Sequence, residues 1–221
     1  MKTFIIRACL LMLALAAAGT ASADDNFGFG VKAGTLGLGV EGTWRPLPYL
    51  DLRVGANQYD YSDTDTYASI LYDAELNLDT YYVTGNFRFP LSPFRVTAGV
   101  YSNGNEVNLV SGDNGAIIFV GGDPYPSAAV GTVTSRAYFD STSPYIGVGY
   151  DFSLFGKVGM NLDFGVLWQG SANVEIGIDG VLADDPTFQT SLEAERQELE
   201  DEISDYKAWP VISLGFVVNF L

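Results

Sequence analysis

The chain has 221 residues, with 11 Lys and Arg against 27 Asp and Glu, one Cys and no His. The formal net charge of −16 repels nucleic-acid phosphates, and no basic patch offsets it, so we predict no nucleic-acid partner. The absence of His removes the Ser-His and Cys-His catalytic pairs and the usual zinc ligands. The composition therefore disfavours an enzyme, and we predict no cofactor.

The first 23 residues have the features of a secretory signal peptide. Lys2 and Arg7 give a positive start, residues 8–19 form an apolar run, and Ala21-Ser22-Ala23 supplies the small residues that signal peptidase reads. The run is too short for a membrane anchor, which needs about 20 apolar residues. We predict cleavage before Asp24, which removes the single Cys and leaves no disulfide.

The rest of the chain alternates apolar and polar residues in blocks of roughly ten, as the strands of a membrane β-barrel do. The clearest blocks run from Val158 to Trp168 and from Ile212 to Phe220. Shorter ones lie at residues 38–44, 50–56, 81–89, 94–100 and 146–152. A soluble β-sandwich also alternates, but its water-facing sides would carry more charge. For residues 24–221 we predict an all-β fold, a transmembrane antiparallel barrel of the outer membrane.

Aromatic residues bracket many of these blocks. This placement is typical of the girdles that mark the two interfaces of a membrane barrel. The predicted girdle residues are Trp44, Tyr59, Tyr81, Phe89, Phe94, Tyr101, Tyr150, Phe152, Trp168 and Trp209.

The connections between blocks alternate in length, which sets the strand count and the orientation. Tight turns with Pro or Gly lie at residues 45–49, 90–93 and 153–157, and long polar stretches lie near 60–74, 103–132 and 171–206. Outer-membrane barrels have short periplasmic turns and long external loops, so the pattern predicts eight strands. The first two, residues 27–33 and 36–45, would join at Gly34-Thr35, where one kinked strand is the alternative.

The strand pattern directs a set of charged residues into the lumen: Glu41, Arg45, Asp51, Arg53, Arg88, Arg95, Asp151 and Asp163. A lumen of eight strands is barely wide enough for its side chains, and a charge inside it must be paired or hydrated. Two interpretations stay open: an ion-paired plug, or a cation path through these residues. Several lie near the periplasmic turns, which predicts a constriction at that end. The candidate lumen site is Glu41, Arg53, Arg88, Arg95 and Asp163.

The last long loop carries nine acidic residues against Arg196 between Asp184 and Asp205. Thr190-Ser-Leu-Glu193 matches a capping box, which predicts a short helix from Ser191 to about Ser204. One interpretation is a solvated helix across the barrel mouth. The other is an electrostatic funnel that attracts cations. Calcium binding is disfavoured because the acids lack EF-hand spacing. The candidate funnel residues are Glu198, Asp201, Glu202 and Asp205.

Several segments resemble a known group of barrels. They are Tyr101-Ser-Asn-Gly-Asn-Glu106, Ser143-Pro-Tyr-Ile-Gly-Val-Gly149, Phe164-Gly-Val-Leu-Trp-Gln-Gly-Ser171, and Asp205-Tyr-Lys-Ala-Trp-Pro210. The group is the small outer-membrane barrels of proteobacteria that include the CarO-type porin, associated with ornithine uptake and carbapenems. The resemblance implies an eight-stranded barrel with elaborate external loops and uptake of basic amino acids. It also implies contact with outer-membrane lipid, lipopolysaccharide and the barrel assembly machinery, which recognises a terminal aromatic residue; here Phe220 is followed by Leu221.

Two function hypotheses follow. The first is a narrow porin for small cationic solutes, such as ornithine by resemblance. The alternative is a closed structural or interaction barrel without transport activity. Because a closed barrel leaves no free sheet edge, we expect a monomer in either case.

Overall fold

The structure, a computed structural model, describes residues 26–67, 70–111, 115, 117–155 and 157–220. The predicted signal peptide of residues 1–23 lies outside these ranges. In chain order the elements are β1 (Phe27–Gly34), β2 (Gly37–Leu47), β3 (Leu50–Tyr67), β4 (Ile70–Arg88), β5 (Phe94–Asn103), β6 (Glu106–Ser111), β7 (Ile117–Val120), β8 (Asp123–Pro126), α1 (Ser127–Val130), β9 (Val133–Tyr138), β10 (Thr142–Phe155), β11 (Val158–Trp168), β12 (Asn173–Ile178), α2 (Pro186–Glu202) and β13 (Ala208–Phe220).

Eight of these strands form a closed antiparallel barrel in the order β1, β2, β3, β4, β5, β10, β11 and β13. The last strand pairs with the first, with Phe27 opposite Phe220 and Gly34 opposite Ser213. The predicted eight-stranded barrel is therefore confirmed. The first hairpin consists of two strands, since Gly34 pairs directly with Gly37.

The outer wall of the barrel is apolar. On β13, Ile212, Leu214 and Phe216 point outward and are 40–50% exposed, whereas Val211 and Ser213 point inward and are buried. An apolar outer wall is unfavourable in water and favourable in lipid. Strands with apolar residues outside and polar residues inside are typical of membrane barrels.

Aromatic pairs surround the short-turn end of this wall. Phe27 stacks with Trp44 at 6.4 Å between ring centroids, and Phe94 meets Tyr150 edge to face at 4.8 Å. Two of the predicted girdle residues do not belong to it. Tyr101 is 2% exposed and Trp209 packs beside it inside the barrel mouth, because both fall on the inward phase of their strands.

Beyond the barrel, strands continue on the long-loop side. β4 pairs with β5 through residues 80–88 and then with β6 through residues 72–77, and β6 extends to β9 and β12. We call β6, β9, β12 and the outer part of β4 the external sheet. The sequence-based view of 60–74, 103–132 and 171–206 as polar loops was therefore incomplete. The missed strands β6, β9 and β12 have six residues each, too few for their alternation to stand out.

The junction between barrel and external sheet is held at Asp79, on β4. Gly104 donates its backbone N–H to the Asp79 carbonyl at 2.8 Å, and the Asn105 side-chain oxygen accepts the Asp79 N–H at 3.2 Å. Asn105 is oriented in turn by its own N–H, which donates to the Asn103 side chain at 3.2 Å. Both polar groups of the Asp79 backbone thus stay bonded where β5 leaves β4 and β6 begins.

Helix α2 begins earlier than the sequence predicted. Asp185 is the N-cap, and its carboxylate accepts the N–H groups of Thr187 and Phe188 at 2.9 Å each, with Pro186 in the first turn. The predicted capping box at Thr190 is wrong, because that hydroxyl donates to the Pro186 carbonyl within the helix at 3.0 Å. In the part of the chain that the structure describes, no helix is long and apolar enough to cross a membrane.

Helix α2 packs across the external sheet. Its Phe188 is fully buried in a small core with Val120 and Val130, and Leu192 packs against the same core. Further along the same face, the Glu195 carboxylate accepts the Gly121 N–H at 2.8 Å. The external part of the protein thus has its own apolar core, separate from the lumen.

Candidate functional site

The centre of the lumen is occupied by Arg53, which is 5% exposed. Its guanidinium lies 3.4 Å from Glu41, 3.7 Å from Asp51, 3.6 Å from Asp151 and 3.7 Å from Asp163. Carboxylates from four barrel strands, β2, β3, β10 and β11, therefore surround this one guanidinium.

Two further arginines complete this network. Arg88 pairs with Asp51 at 2.5 Å and with Asp151 at 2.7 Å. Arg95 pairs with Asp151 at 3.1 Å and with Asp163 at 2.5 Å. The structure thus brings together every residue of the candidate lumen site. We call the set of Glu41, Asp51, Arg53, Arg88, Arg95, Asp151 and Asp163 the charged layer.

The buried Glu41 has two neutral partners as well. Tyr82 donates its hydroxyl to one carboxylate oxygen at 2.9 Å, and Asn161 donates to the other at 3.1 Å. The amino group of Lys32 lies 4.0 Å from the centre of the Tyr82 ring. Sequence reasoning missed Lys32, although Gly28, Gly30 and Lys32 alternate with the apolar residues of β1.

Above the charged layer, on the long-loop side, the lumen is filled by apolar and aromatic side chains. Tyr82 stacks on Tyr101 at 4.8 Å, and Tyr101 meets Tyr145 at 5.2 Å. Leu36, at the tip of the first hairpin, folds inward and is 3% exposed. We call Leu36, Tyr82, Tyr101, Tyr145, Leu167 and Val211 the apolar layer.

These two layers leave little free space in mid-barrel. The cavity among Lys32, Arg53, Tyr101 and their neighbours measures about 10 Å³, which is about the space of one water molecule. A polar cavity of about 250 Å³ lies instead at the short-turn end, lined by Arg45, Arg88 and others. Arg53 lines both cavities, so the free space at the short-turn end shrinks to about 10 Å³ between the two layers, where large side chains converge. The constriction at the short-turn end stays a prediction.

The acidic residues of the last loop divide into two groups. Glu195 and Glu200 are bonded to the backbone of neighbouring elements. Glu195 accepts the Gly121 N–H in the turn between β7 and β8, and Glu200 accepts the Val174 N–H on β12 at 3.1 Å. The four candidate funnel residues are exposed on α2 and the turn after it, away from the charged layer. Within the described ranges, their carboxylates make no hydrogen bond or ion pair, and no group of acids could hold a metal ion.

On α2 the pKa of Glu193 is lowered to about 2, because Arg196 and then Gln197 donate hydrogen bonds to its carboxylate. A folded-state pKa below the ordinary 4.5 means that the pair stabilises α2 above pH 4.5 and that this stabilisation is lost as the pH falls toward 2. We expect Arg196→Gln to return the Glu193 pKa toward 4.5. A side-chain ¹³C NMR titration measures both values. Arg136→Gln, on β9, is the matched control and should leave the Glu193 pKa unchanged; a wild-type pKa near 4.5 would contradict this assignment.

A large apolar cavity lies at the external mouth of the barrel. It measures about 610 Å³ and is bordered by the external sheet, the end of α2 and the start of β13. Its wall residues include Val107, Leu109, Ala137, Val174, Leu199, Ile203 and Trp209. Trp209 also packs on the apolar layer, so the floor of this cavity is the top of the filled lumen.

The closed ladder, apolar wall and charged interior define the fold of an eight-stranded outer-membrane β-barrel. This fold is shared with two crystal structures from Acinetobacter baumannii. CarO2 has a TM-score of 0.57 and 22% identity over 88% of this chain and 98% of its own. CarO has a TM-score of 0.56 and 22% identity over 87% and 97%. No protein-family model matches the sequence, and no curated protein does either. The resemblance to CarO-type barrels is thus confirmed as a likeness of fold.

Proposed function

We propose that the protein is a closed barrel of the outer membrane that anchors an external binding domain. The observation that carries this proposal is the filled mid-barrel, where Arg53 is paired with four carboxylates and the cavity between the two layers measures about 10 Å³. A solute would have to break buried ion pairs and displace the apolar layer, and each is costly in a medium of low dielectric.

The wider setting belongs to the same proposal. The apolar wall with its aromatic pairs suits a bilayer, and export would use the predicted signal peptide. The partners on this proposal are outer-membrane lipid and lipopolysaccharide around the wall and the barrel assembly machinery during insertion. The closed ladder favours a monomer.

A second candidate, a narrow porin for small cationic solutes such as ornithine, is favoured by one feature. Glu198, Asp201, Glu202 and Asp205 present unpaired carboxylates near the mouth, and such a field raises the local concentration of cations. Under this candidate the two layers would have to rearrange to admit solute, and the same four acids would set cation preference.

Conductance separates the two candidates. In a planar bilayer under a salt gradient, we expect refolded protein to give no steady conductance steps, because the two layers block the lumen. Heat-dependent migration on SDS gels verifies folding in the same sample. Steady cation-selective steps that weaken when the four acids are neutralised together would overturn the closed barrel and support the porin.

A further inference from the structure

We infer that the apolar cavity at the barrel mouth is a binding site for a cationic amphiphile, a molecule with an apolar body and a positively charged head. This inference deepens the proposed function by naming what the external domain binds. It rests on the cavity and its surroundings and not on the state of the lumen.

The first argument is size and lining. A volume of about 610 Å³ lies within the range of small-molecule sites, roughly 300–1,000 Å³, which are concave and mostly apolar. Its walls come from Val107 on β6, Ala137 on β9, Val174 on β12 and Leu199 on α2. Leu109, another wall residue, is 41% exposed, so the cavity opens to the outside. Apolar surface of this extent is stabilised when an apolar body covers it.

The second argument is charge at the rim. Leu199, Ile203 and Tyr206 line the cavity, and the exposed Glu198, Glu202 and Asp205 directly precede them in the chain. The carboxylate of Glu200 is bonded to the backbone of Val174 and also to Arg196. Because Arg196 is shared with Glu193, these three side chains keep one net negative charge beside the wall.

Opposing charges near the rim are few or already paired. Arg136, on the far face of β9, is paired with Glu106 at 2.6 Å, and Arg196 is paired with Glu193 and Glu200. The exposed Lys207, beside Tyr206, is the cation that remains along the stretch from α2 to β13. The net field at the rim is therefore negative, which attracts a positive head group and repels an anionic one.

The cavity itself supplies a reporter. The chain has three Trp residues, and Trp209 lines the cavity while Trp44 and Trp168 lie on the outer wall. A protein with Trp44→Phe and Trp168→Phe therefore reports on this site through Trp209 fluorescence. We would place it in nanodiscs of zwitterionic lipid and titrate octyltrimethylammonium, with octyl sulfate as the anionic probe of equal chain length.

We expect a saturable change in Trp209 fluorescence with octyltrimethylammonium and binding of octyl sulfate that is weaker by about tenfold. Replacing the four acids by E198Q, D201N, E202Q and D205N should narrow this difference to about threefold or less, as exposed charges contribute modestly. Ala137→Phe should abolish the saturable change by filling the cavity. Thr134→Phe, on the opposite face of β9, is the matched control and should bind like the parent protein.

An unsaturable response, equal binding of the two probes, or unchanged binding by Ala137→Phe would each overturn the inference. The proposed function fails independently of this result. If the protein conducts and still binds octyltrimethylammonium, the closed barrel is contradicted and the binding site stands. If it gives no conductance and does not bind, the closed barrel stands and the binding site is contradicted.

Discussion

Replacing Arg53 by Met is expected to lower the free energy of unfolding by about 3–5 kcal/mol, the range found when one partner of a buried ion pair is removed. The side chain is 5% exposed and lies among four carboxylates. In this variant Arg88 and Arg95 would still pair with Asp51, Asp151 and Asp163. Glu41 differs, because its one ion pair among the described residues is with Arg53. Removing the guanidinium therefore leaves Glu41 charged and buried without an ion pair, with the Tyr82 and Asn161 hydrogen bonds and the more distant charge of Lys32.

Urea titration of the protein in lipid vesicles, followed by tryptophan fluorescence, measures this loss. Arg196→Met, which breaks an exposed ion pair on α2, is the control and should leave the unfolding midpoint nearly unchanged. Adding Glu41→Gln to Arg53→Met should recover part of the stability, since the amide removes the unpaired charge and keeps hydrogen bonds. Wild-type stability in Arg53→Met would show that the carboxylates are hydrated and that the charged layer does not hold the barrel closed.

Gly149→Leu is expected to prevent folding or to destabilise the barrel by several kcal/mol. A Cβ atom at this position would overlap the guanidinium of Arg95, so the arginine would have to leave its pairs with Asp151 and Asp163. Two effects contribute to the loss of stability. Overpacking costs about 1–3 kcal/mol, and the loss of buried ion pairs costs about 3–5 kcal/mol.

The fraction of refolded protein, read from heat-dependent migration on SDS gels, tests this expectation. Gly85→Leu is the matched control, because Gly85 also lies within a barrel strand but faces outward, and its Cβ would meet nothing nearer than 4.0 Å. We expect Gly85→Leu to fold like the wild type. Equal folding of the two variants would contradict the tight packing of Arg95 against β10.

The barrel was predictable because the same alternation of apolar and polar residues recurs along the chain. Alternation between Ile212, Leu214 and Phe216 on one side and Ser213 and Gly215 on the other assigns wall and lumen without any tertiary information. The same alternation directed Arg53, Arg95 and Asp163 inward. Their distances to one another were not predictable, because they depend on strand register and barrel stagger.

Other features depend on contacts between segments far apart in sequence. Leu36 belongs to a two-residue turn, and nothing local distinguishes a turn residue that fills a lumen from one that faces solvent. The strands of the external sheet are stable because β4 continues beyond the barrel and pairs with β6. Nothing within each short strand indicates this pairing. The cap at Asp185 was missed because Thr190 offered a familiar pattern five residues later, whereas Asp185-Pro186 places a good cap before a fixed helical φ.

The continuous bonding around Asp79 has a mechanical consequence. Asn105 and Gly104 keep the hydrogen bonds of β4 unbroken between the barrel and the external sheet. The two parts are therefore joined by a continuous strand and not by a flexible linker. A molecule that binds at the mouth therefore meets a surface whose tilt relative to the membrane is fixed, and a push on that surface is carried into the wall of the barrel.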